Sequence, residues 1–163
     1  MSSYVSAGLR REVQRRARGI CEYCLIHERD TYLGCQVDHV VSERHGGATE
    51  SGNLAYACTC CNCAKGTDVG SIAASGDFAR FFNPRVDRWA DHFKLRGVFI
   101  DPQTPIGEVT ARILGLNEPE RIMERQLLLR LGRYPSPSAA RLIAGGPADQ
   151  RMQASGDSVR DEG

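Results

Sequence analysis

Residues 58–66 read CTCCNCAKG and contain a C-x2-C pair. The segment CEYC at 21–24 is a second C-x2-C pair, and 33 residues lie between the two pairs. A gap of two residues forms a tight turn, which lets both sulfur atoms of a pair reach one ion at about 2.3 Å. Two such pairs in one short chain predict a closed, structural zinc site with four thiolate ligands. The predicted ligands are Cys21, Cys24, Cys58 and Cys61.

The cysteine-rich segment also offers a second register, because Cys60 and Cys63 have the same spacing. We prefer the first register, since it places Asn62 directly after the last ligand. The cysteines left over are interpreted as small thiols, buried or partly buried. They are Cys35, Cys60 and Cys63.

The elements around the cysteine pairs predict a helix, a hairpin and a second helix. Apolar residues at helical spacing indicate a helix over 6–18, with Ser6 as N-cap and Gly19 as the stop. β-Branched residues in 36–41 and the apolar run 53–57 predict two paired strands, joined by an exposed loop at 42–52. Residues 58–66 then form a turn into a short helix that ends at Gly66.

The first predicted helix carries an arginine cluster. Residues 1–19 hold five arginines against one glutamate. A solvated helix face is one interpretation, and contact with nucleic-acid phosphates is the other. The candidates for that contact are Arg10, Arg11, Arg15 and Arg18.

Composition places the chain among globular proteins. Its 163 residues include 21 Lys and Arg against 20 Asp and Glu, a formal charge of +1, so bulk charge does not decide for or against nucleic acid. No run approaches the roughly 18 apolar residues of a membrane span, and the polar, arginine-rich start does not resemble a secretory signal. We therefore expect a cytoplasmic protein with no membrane partner.

The remaining chain is predicted to be mostly helical up to residue 135. An apolar stripe indicates a helix from Val86 to Phe93 after an irregular stretch at 78–84, and residues 98–100 suggest a short strand. Thr104 before a proline starts a helix to Leu114. Asn117 followed by Glu120 resembles a capping box for a last helix that ends near Gly132. We predict three regions. The N-terminal helix and the core occupy 1–66, a helical extension packed on the core occupies 67–135, and a disordered tail occupies 136–163.

Asp38 and His39 are the candidates for chemistry in the first strand. A carboxylate suits a hard divalent cation, and an imidazole with an ordinary pKa near 6.5 suits proton removal from water. Neighbouring residues of a regular strand point to opposite faces. The two side chains therefore share a site only if the strand ends or bulges there.

The order of these motifs resembles the HNH endonuclease family over residues 18–66. The residues that carry the resemblance are the two cysteine pairs, Asp38, His39, Asn53, Asn62 and Lys65. It implies a ββα-metal core, in which a hairpin and a helix surround one catalytic metal ion. Residues 81–131 are similar, less specifically, to the extension of small stand-alone bacterial HNH proteins. The expected fold is α+β: a zinc-stapled ββα core with an arginine-rich N-terminal helix and a C-terminal helical extension.

The resemblance also implies roles for single residues. His39 becomes the general base, and Asn53 braces the loop that orients it. Asp38 and Asn62 become the ligands of a catalytic Mg²⁺ or Mn²⁺ ion, and the amide oxygen of Asn62 replaces the histidine of the family name. Lys65 would contact a phosphate as a point charge, although an ordinary exposed lysine at a helix end is the alternative.

The implied activity is metal-dependent hydrolysis of phosphodiester bonds in DNA, with double-stranded DNA as the expected partner. His45, in the loop nearest the site, is a further candidate for contact with nucleic acid. A zinc-stabilised nucleic-acid-binding module without catalysis is the alternative. A third possibility is an adaptor that dimerises through helices between Val86 and Leu131.

Overall fold

A computed structural model describes residues 4–145 of the chain. Within that range the fold is α+β, with six helices and three two-stranded antiparallel sheets. The helices are α1 (Ala7–Arg16), α2 (Thr59–Lys65), α3 (Trp89–His92), α4 (Pro105–Ile113), α5 (Pro119–Arg130) and α6 (Pro137–Ala144). The strands are β1 (Cys35–His39), β2 (Leu54–Cys58), β3 (Gly70–Ile72), β4 (Phe78–Arg80), β5 (Phe93–Arg96) and β6 (Phe99–Pro102).

Helix α1 begins and ends close to the predicted positions. The Ser6 side chain accepts a hydrogen bond from the Leu9 backbone N–H, which satisfies one of the free donors at the helix start. Gly19 has a φ of +71°, the left-handed conformation that glycine adopts at low cost after a helix. The buried Val13 side chain packs α1 against Leu54 and Tyr56 of β2.

Strands β1 and β2 form the predicted hairpin. They pair antiparallel, with Cys35 opposite Cys58 at one end and His39 opposite Leu54 at the other. The loop at 42–52 joins them and contains two short 3-10 turns, one at Glu43–His45 and one beginning at Ser51. Helix α2 follows β2 directly and packs against both strands, so the chain has the expected ββα arrangement.

The extension differs from the predicted helical pattern in its first half. Only α3 is helical in the segment predicted as a Val86–Phe93 helix, and the Val86 side chain is exposed. Phe93 instead begins β5 because its backbone pairs with Pro102 of β6. The stretch predicted as irregular contains β4, which pairs with β3. Both differences come from short hairpins, in which a strand pairs with a neighbouring segment at most ten residues away.

The later helices confirm one predicted start and correct another. The Thr104 side chain caps α4 by accepting from Gly107 N–H, and Pro105 occupies the first turn. Asn117 does not cap α5. Its side chain bonds both backbone groups of Ile100 instead, accepting at 3.0 Å and donating at 2.7 Å, and Glu118 precedes the helix.

The first part of the predicted disordered tail is helical. Ser136 caps α6 by accepting from Ala139 N–H at 3.1 Å, and the Ala139 side chain is buried in the core. The Pro137 ring pre-sets the first turn. The rest of the predicted tail, 146–163, lies outside the described residues.

One large apolar cluster includes residues from both the predicted core and the predicted extension. It runs from Ile20 and Tyr23 through Phe82 and Trp89 to Leu128. Among residues 4–145, no helix combines the length and apolar composition needed to cross a membrane.

Candidate active site

Four cysteines come together at the Cys35–Cys58 end of the hairpin. The sulfur atoms of Cys21, Cys24, Cys58 and Cys61 lie within 4.8 Å of one another, and all four residues are buried. The sulfur atoms of Cys24 and Cys58 are 3.7 Å apart. Four thiolates arranged tetrahedrally at about 2.3 Å from zinc would be separated by about 3.8 Å. These four cysteines can therefore hold a metal ion of this kind, whereas the alternative pair, Cys60 and Cys63, is exposed.

Backbone geometry forms the two turns that carry the sulfur atoms. Leu25 has a φ of +68°, and its N–H donates to the carbonyl of Cys21 at 2.9 Å, so the first pair lies on a tight turn. The second pair lies at the start of α2, where the sulfur of Cys58 accepts from the Cys61 N–H at 3.5 Å. Both turns point their sulfur atoms to one buried place, in which no ligand position remains for water.

The thiol cluster has electrostatic properties that suit a cation. Hydrogen bonds from the other three thiols lower the pKa of Cys58, and the Arg121 charge acts in the same direction. Burial raises the pKa of Cys21 well above its usual value, because a thiolate without a positive partner is costly there. The guanidinium of Arg121 on α5 donates to the sulfur atoms of Cys58 at 3.6 Å and Cys61 at 3.9 Å. Sequence reasoning missed this residue, which is 60 positions from its partner.

The opposite end of the hairpin opens into a cavity of about 480 Å³. Both Asp38 and His39 line it, because β1 ends at His39 and adjacent side chains can turn the same way there. The other lining residues come from the loop and the end of α2. They are Ser42, Glu43, Arg44, Gly66 and Thr67.

Asn53 holds the start and the middle of the 42–52 loop together. Its side chain accepts from Val41 N–H at 2.9 Å and donates to the carbonyls of Val41 and Ala48 at 2.8 and 2.9 Å. Gly47 lies against this amide, where a Cβ atom would overlap the Val41 carbonyl and come within 2.7 Å of Asn53 Nδ2. The close approach therefore requires glycine at 47 and fixes the loop beside His39.

The His39 ring has a polar partner that sequence reasoning missed. Its Nε2 lies 2.8 Å from the hydroxyl of Thr49, and that hydroxyl donates to Glu43 Oε1 at 3.4 Å. A hydroxyl that donates to a carboxylate has its lone pairs left to accept from an imidazole N–H. The only sequence signal for these hydrogen bonds is the position of Glu43 and Thr49 in the loop after His39.

Lys65 is buried beneath Asp38. Only 1% of its side chain is exposed; Nζ lies 3.1 Å from Asp38 Oδ2 and donates to the His39 carbonyl at 2.8 Å. The ammonium group is directed at Asp38 and the His39 carbonyl within the protein, which differs from the predicted contact with a phosphate. The Oδ2 atom has this ion pair but no aligned hydrogen bond within the described chain. Burial raises the pKa of the Asp38 carboxyl, and the Lys65 charge opposes the shift.

The model of the HNH endonuclease family matches residues 21–68. This segment is an HNH-family domain. It contains both cysteine pairs, the hairpin and α2, and it ends three residues after Lys65. Comparisons with curated proteins and with solved structures returned no match.

Besides Asn53 and Lys65, two further candidate residues of the HNH domain do not line the cavity beside Asp38 and His39. The Asn62 amide donates to Gln36 Oε1 at 2.8 Å, two residues before Asp38 on the same face of β1. His45 is exposed, and its neighbour Arg44 lines the cavity instead. The structure thus brings Asp38, His39 and Lys65 together, whereas Asn62 contacts Gln36, two residues before Asp38 on β1.

The candidate arginines of α1 lie beside the HNH domain. Arg11, Arg15 and Arg18 line a second, larger cavity of about 1250 Å³, which shares no lining residue with the first. Arg10 is outside it and donates from Nε to the Val5 carbonyl at 3.1 Å.

Proposed function

We propose that this protein is a metal-dependent endonuclease that hydrolyses phosphodiester bonds of DNA in the Asp38–His39 cavity. The observation that carries the proposal is the orientation of His39 by Thr49, next to a buried carboxylate, within an HNH-family domain. A binding module without catalysis has no need for an oriented imidazole.

His39 acts as the general base in this proposal. Because the Thr49 hydroxyl donates to Glu43, it accepts from His39 Nε2–H, which leaves the lone pair on Nδ1. Nδ1 then takes a proton from the attacking water, and the hydroxide attacks phosphorus opposite the departing 3′ oxygen. By analogy with the family, the products carry 5′-phosphate and 3′-hydroxyl ends.

Asp38 and Asn62 are the proposed ligands of the catalytic ion. The Asp38 carboxylate fits this role because it lines the cavity, and its Oδ2 atom has the ion pair with Lys65 but no aligned hydrogen bond among residues 4–145. Asn62 fits if its amide turns from Gln36 toward Asp38. Such a turn is short because Gln36 and Asp38 lie on the same face of β1. A bound Mg²⁺ or Mn²⁺ ion supplies Lewis-acid stabilisation of the charge on the phosphate.

Lys65 and Asn53 are positioning residues in this scheme. Lys65 holds the Asp38 carboxylate and the His39 backbone from below, so one buried cation fixes both neighbours. Asn53 fixes the loop that carries Thr49. The four-cysteine site is proposed to hold structural zinc and to take no part in the reaction.

The test is cleavage of supercoiled plasmid with added Mg²⁺ or Mn²⁺, or with EDTA. We expect nicked or linear product that requires the ion, and a loss of about 10²- to 10⁴-fold in His39→Ala. The variant is checked for an unchanged melting temperature and zinc content, so that lost activity is not lost folding. A wild-type protein that shifts DNA on a gel but leaves it intact under every ion would favour the zinc-stabilised binding module.

A further inference from the structure

The larger cavity contains an unusual concentration of arginine. It lies between α1, the segment 82–89 and α6, and it measures about 1250 Å³. Six arginines from these three regions line it. They are Arg11, Arg15, Arg16, Arg18, Arg85 and Arg141.

Arg85 is the deepest of these and has donors to spare. Only 5% of its side chain is exposed, and one guanidinium nitrogen, Nη2, donates to Glu22. Its Nε and Nη1 atoms are buried and have no hydrogen-bond partner within residues 4–145. A buried donor without a partner costs about 1–3 kcal/mol, and more when it is charged. Such donors point to an absent acceptor.

Arg16 presents the same pattern. Its Nη1 and Nη2 atoms donate at 2.6 Å to Ser51 Oγ and to the Leu54 carbonyl, which fixes the guanidinium, while Nε is buried without a partner in the described chain. Burial, followed by the charge of Arg85, lowers the pKa of Arg16 to about 10. The two guanidinium groups therefore repel each other across the cavity.

Each of the four carboxylates that line the cavity already has a partner, and two of them pair with the cavity's own arginines, Glu22 with Arg85 and Glu12 with Arg16 at 3.8 Å. Glu22 accepts from Arg85 and from the Tyr56 N–H at 2.8 Å. Glu28 accepts from Gln14 at 3.0 Å and from the Tyr56 hydroxyl. Asp87 accepts from Arg80 at 2.6 and 2.8 Å. Glu12, the fourth, accepts from Ser51. Six arginines against these four acids leave an excess of two positive charges.

We propose that this cavity is a phosphate-binding site, with the free N–H groups of Arg85 and Arg16 as its innermost donors. Guanidinium forks match the oxygen atoms of a phosphate group, and Arg11, Arg15 and Arg141 supply further charge at exposed positions around it. The phosphate belongs to a nucleic-acid backbone or to a free phosphate or monoester. Binding here needs no hydrolysis, so the site stands apart from the proposed nuclease activity.

The test measures binding of two probes by calorimetry to the full-length, zinc-loaded protein, without added divalent metal. One probe is inorganic phosphate, and the other is a 20-base-pair duplex without terminal phosphates. Ionic strength is matched throughout, because surface charges are screened by salt. Arg85→Gln is compared with Arg96→Gln, which removes the same charge from an exposed arginine paired with Asp101 outside the cavity.

We expect saturable binding that weakens about tenfold or more in Arg85→Gln and less than about twofold in Arg96→Gln. An effect on the phosphate probe alone assigns the site to free phosphate or a monoester, and an effect on the duplex assigns it to the nucleic-acid backbone. Arg85→Gln leaves the buried Glu22 carboxylate without its charged partner. If this variant does not fold, the double variant Arg85→Gln with Glu22→Gln, which has no buried charge at this place, is used instead. Equal binding of both probes by wild type and variant, or no binding by wild type, would overturn the proposal.

Discussion

The two ends of the β1–β2 hairpin differ in what they leave open. At the Cys35–Cys58 end, four buried sulfur atoms face one another and exclude solvent. At the His39–Leu54 end, the strands separate into a loop, and Asp38 and His39 line a cavity of about 480 Å³. A closed set of four ligands suits a structural ion, whereas an open cavity suits chemistry. The five residue pairs of the hairpin lie between the cysteine cluster and this cavity.

The two ends also differ in where their supporting residues come from. The sulfur atoms are supported by Arg121 of α5, outside the segment that matches the HNH family model. The His39 ring is supported by Thr49, in the loop that joins the strands, and by Asn53, at the end of that loop. Changes at the closed end should therefore affect the whole fold, and changes at the open end should affect activity more than stability.

Cys61→Ser is the variant expected to have the largest effect. Structural zinc in small domains contributes about 10 kcal/mol or more, which is comparable to the whole free energy of unfolding. We expect loss of bound zinc and of the cooperative melting transition. Cys63→Ser is the matched control, because Cys63 is exposed on the same helix. A Cys61→Ser protein that retained zinc and melted like the control would contradict the assignment of the closed end.

Gly47→Ala is expected to damage the open end next. The added Cβ overlaps the Val41 carbonyl and crowds Asn53, so the loop must shift. We expect about 100-fold slower plasmid cleavage, since a shift of about 1 Å in a catalytic group has effects of that size, with about 1–3 kcal/mol lower stability. Gly52→Ala serves as the control in the same loop, because no atom lies within 4 Å of its added Cβ. Similar cleavage rates for the two variants would show that the loop does not position His39.

What the sequence predicts well is local along the chain. The cysteine spacing, the Ser6 cap and the β-branched residues of β1 each depend on neighbours within a few residues, and the structure confirms those elements. The helix predicted from Val86 to Phe93 was wrong because Phe93 begins a hairpin with β6, and the apolar residues at helical spacing masked that strand.

Within the candidate site, the side-chain partners were harder to predict than the motifs. A lysine near a helix end is usually exposed, yet Lys65 lies under Asp38 because α2 packs on β1. Thr49 reaches His39 only through the fold of the loop. Arg85 and Arg121 come from the extension and reach Glu22 and the sulfur atoms across 60 or more residues of sequence. Such long-range partners depend on tertiary packing and leave no periodic signal.

Arg121→Gln should weaken the closed end by a smaller amount than loss of a ligand. Hydrogen bonds from a charged donor contribute about 1.5–3 kcal/mol, and the guanidinium also balances the charge of the thiolates. We expect a melting temperature lower by several degrees and faster zinc loss to a chelator. Arg130→Gln removes an exposed arginine from the same helix and should change neither. Equal rates of zinc loss in the two variants would argue that Arg121 only fills space.

Thr49→Val should have the smallest effect and should change activity alone. The valine keeps the shape of threonine but removes the hydroxyl that lies between His39 and Glu43, so the ring loses the partner that fixes its tautomer and orientation. Outer partners of a functional imidazole are worth about 10- to 100-fold, and we expect about tenfold slower cleavage with an unchanged melting temperature. Thr49→Ser keeps the hydroxyl and should restore most of the rate. If serine were as slow as valine, the hydroxyl at position 49 would not restore the rate, and the proposed orientation of the base would be wrong.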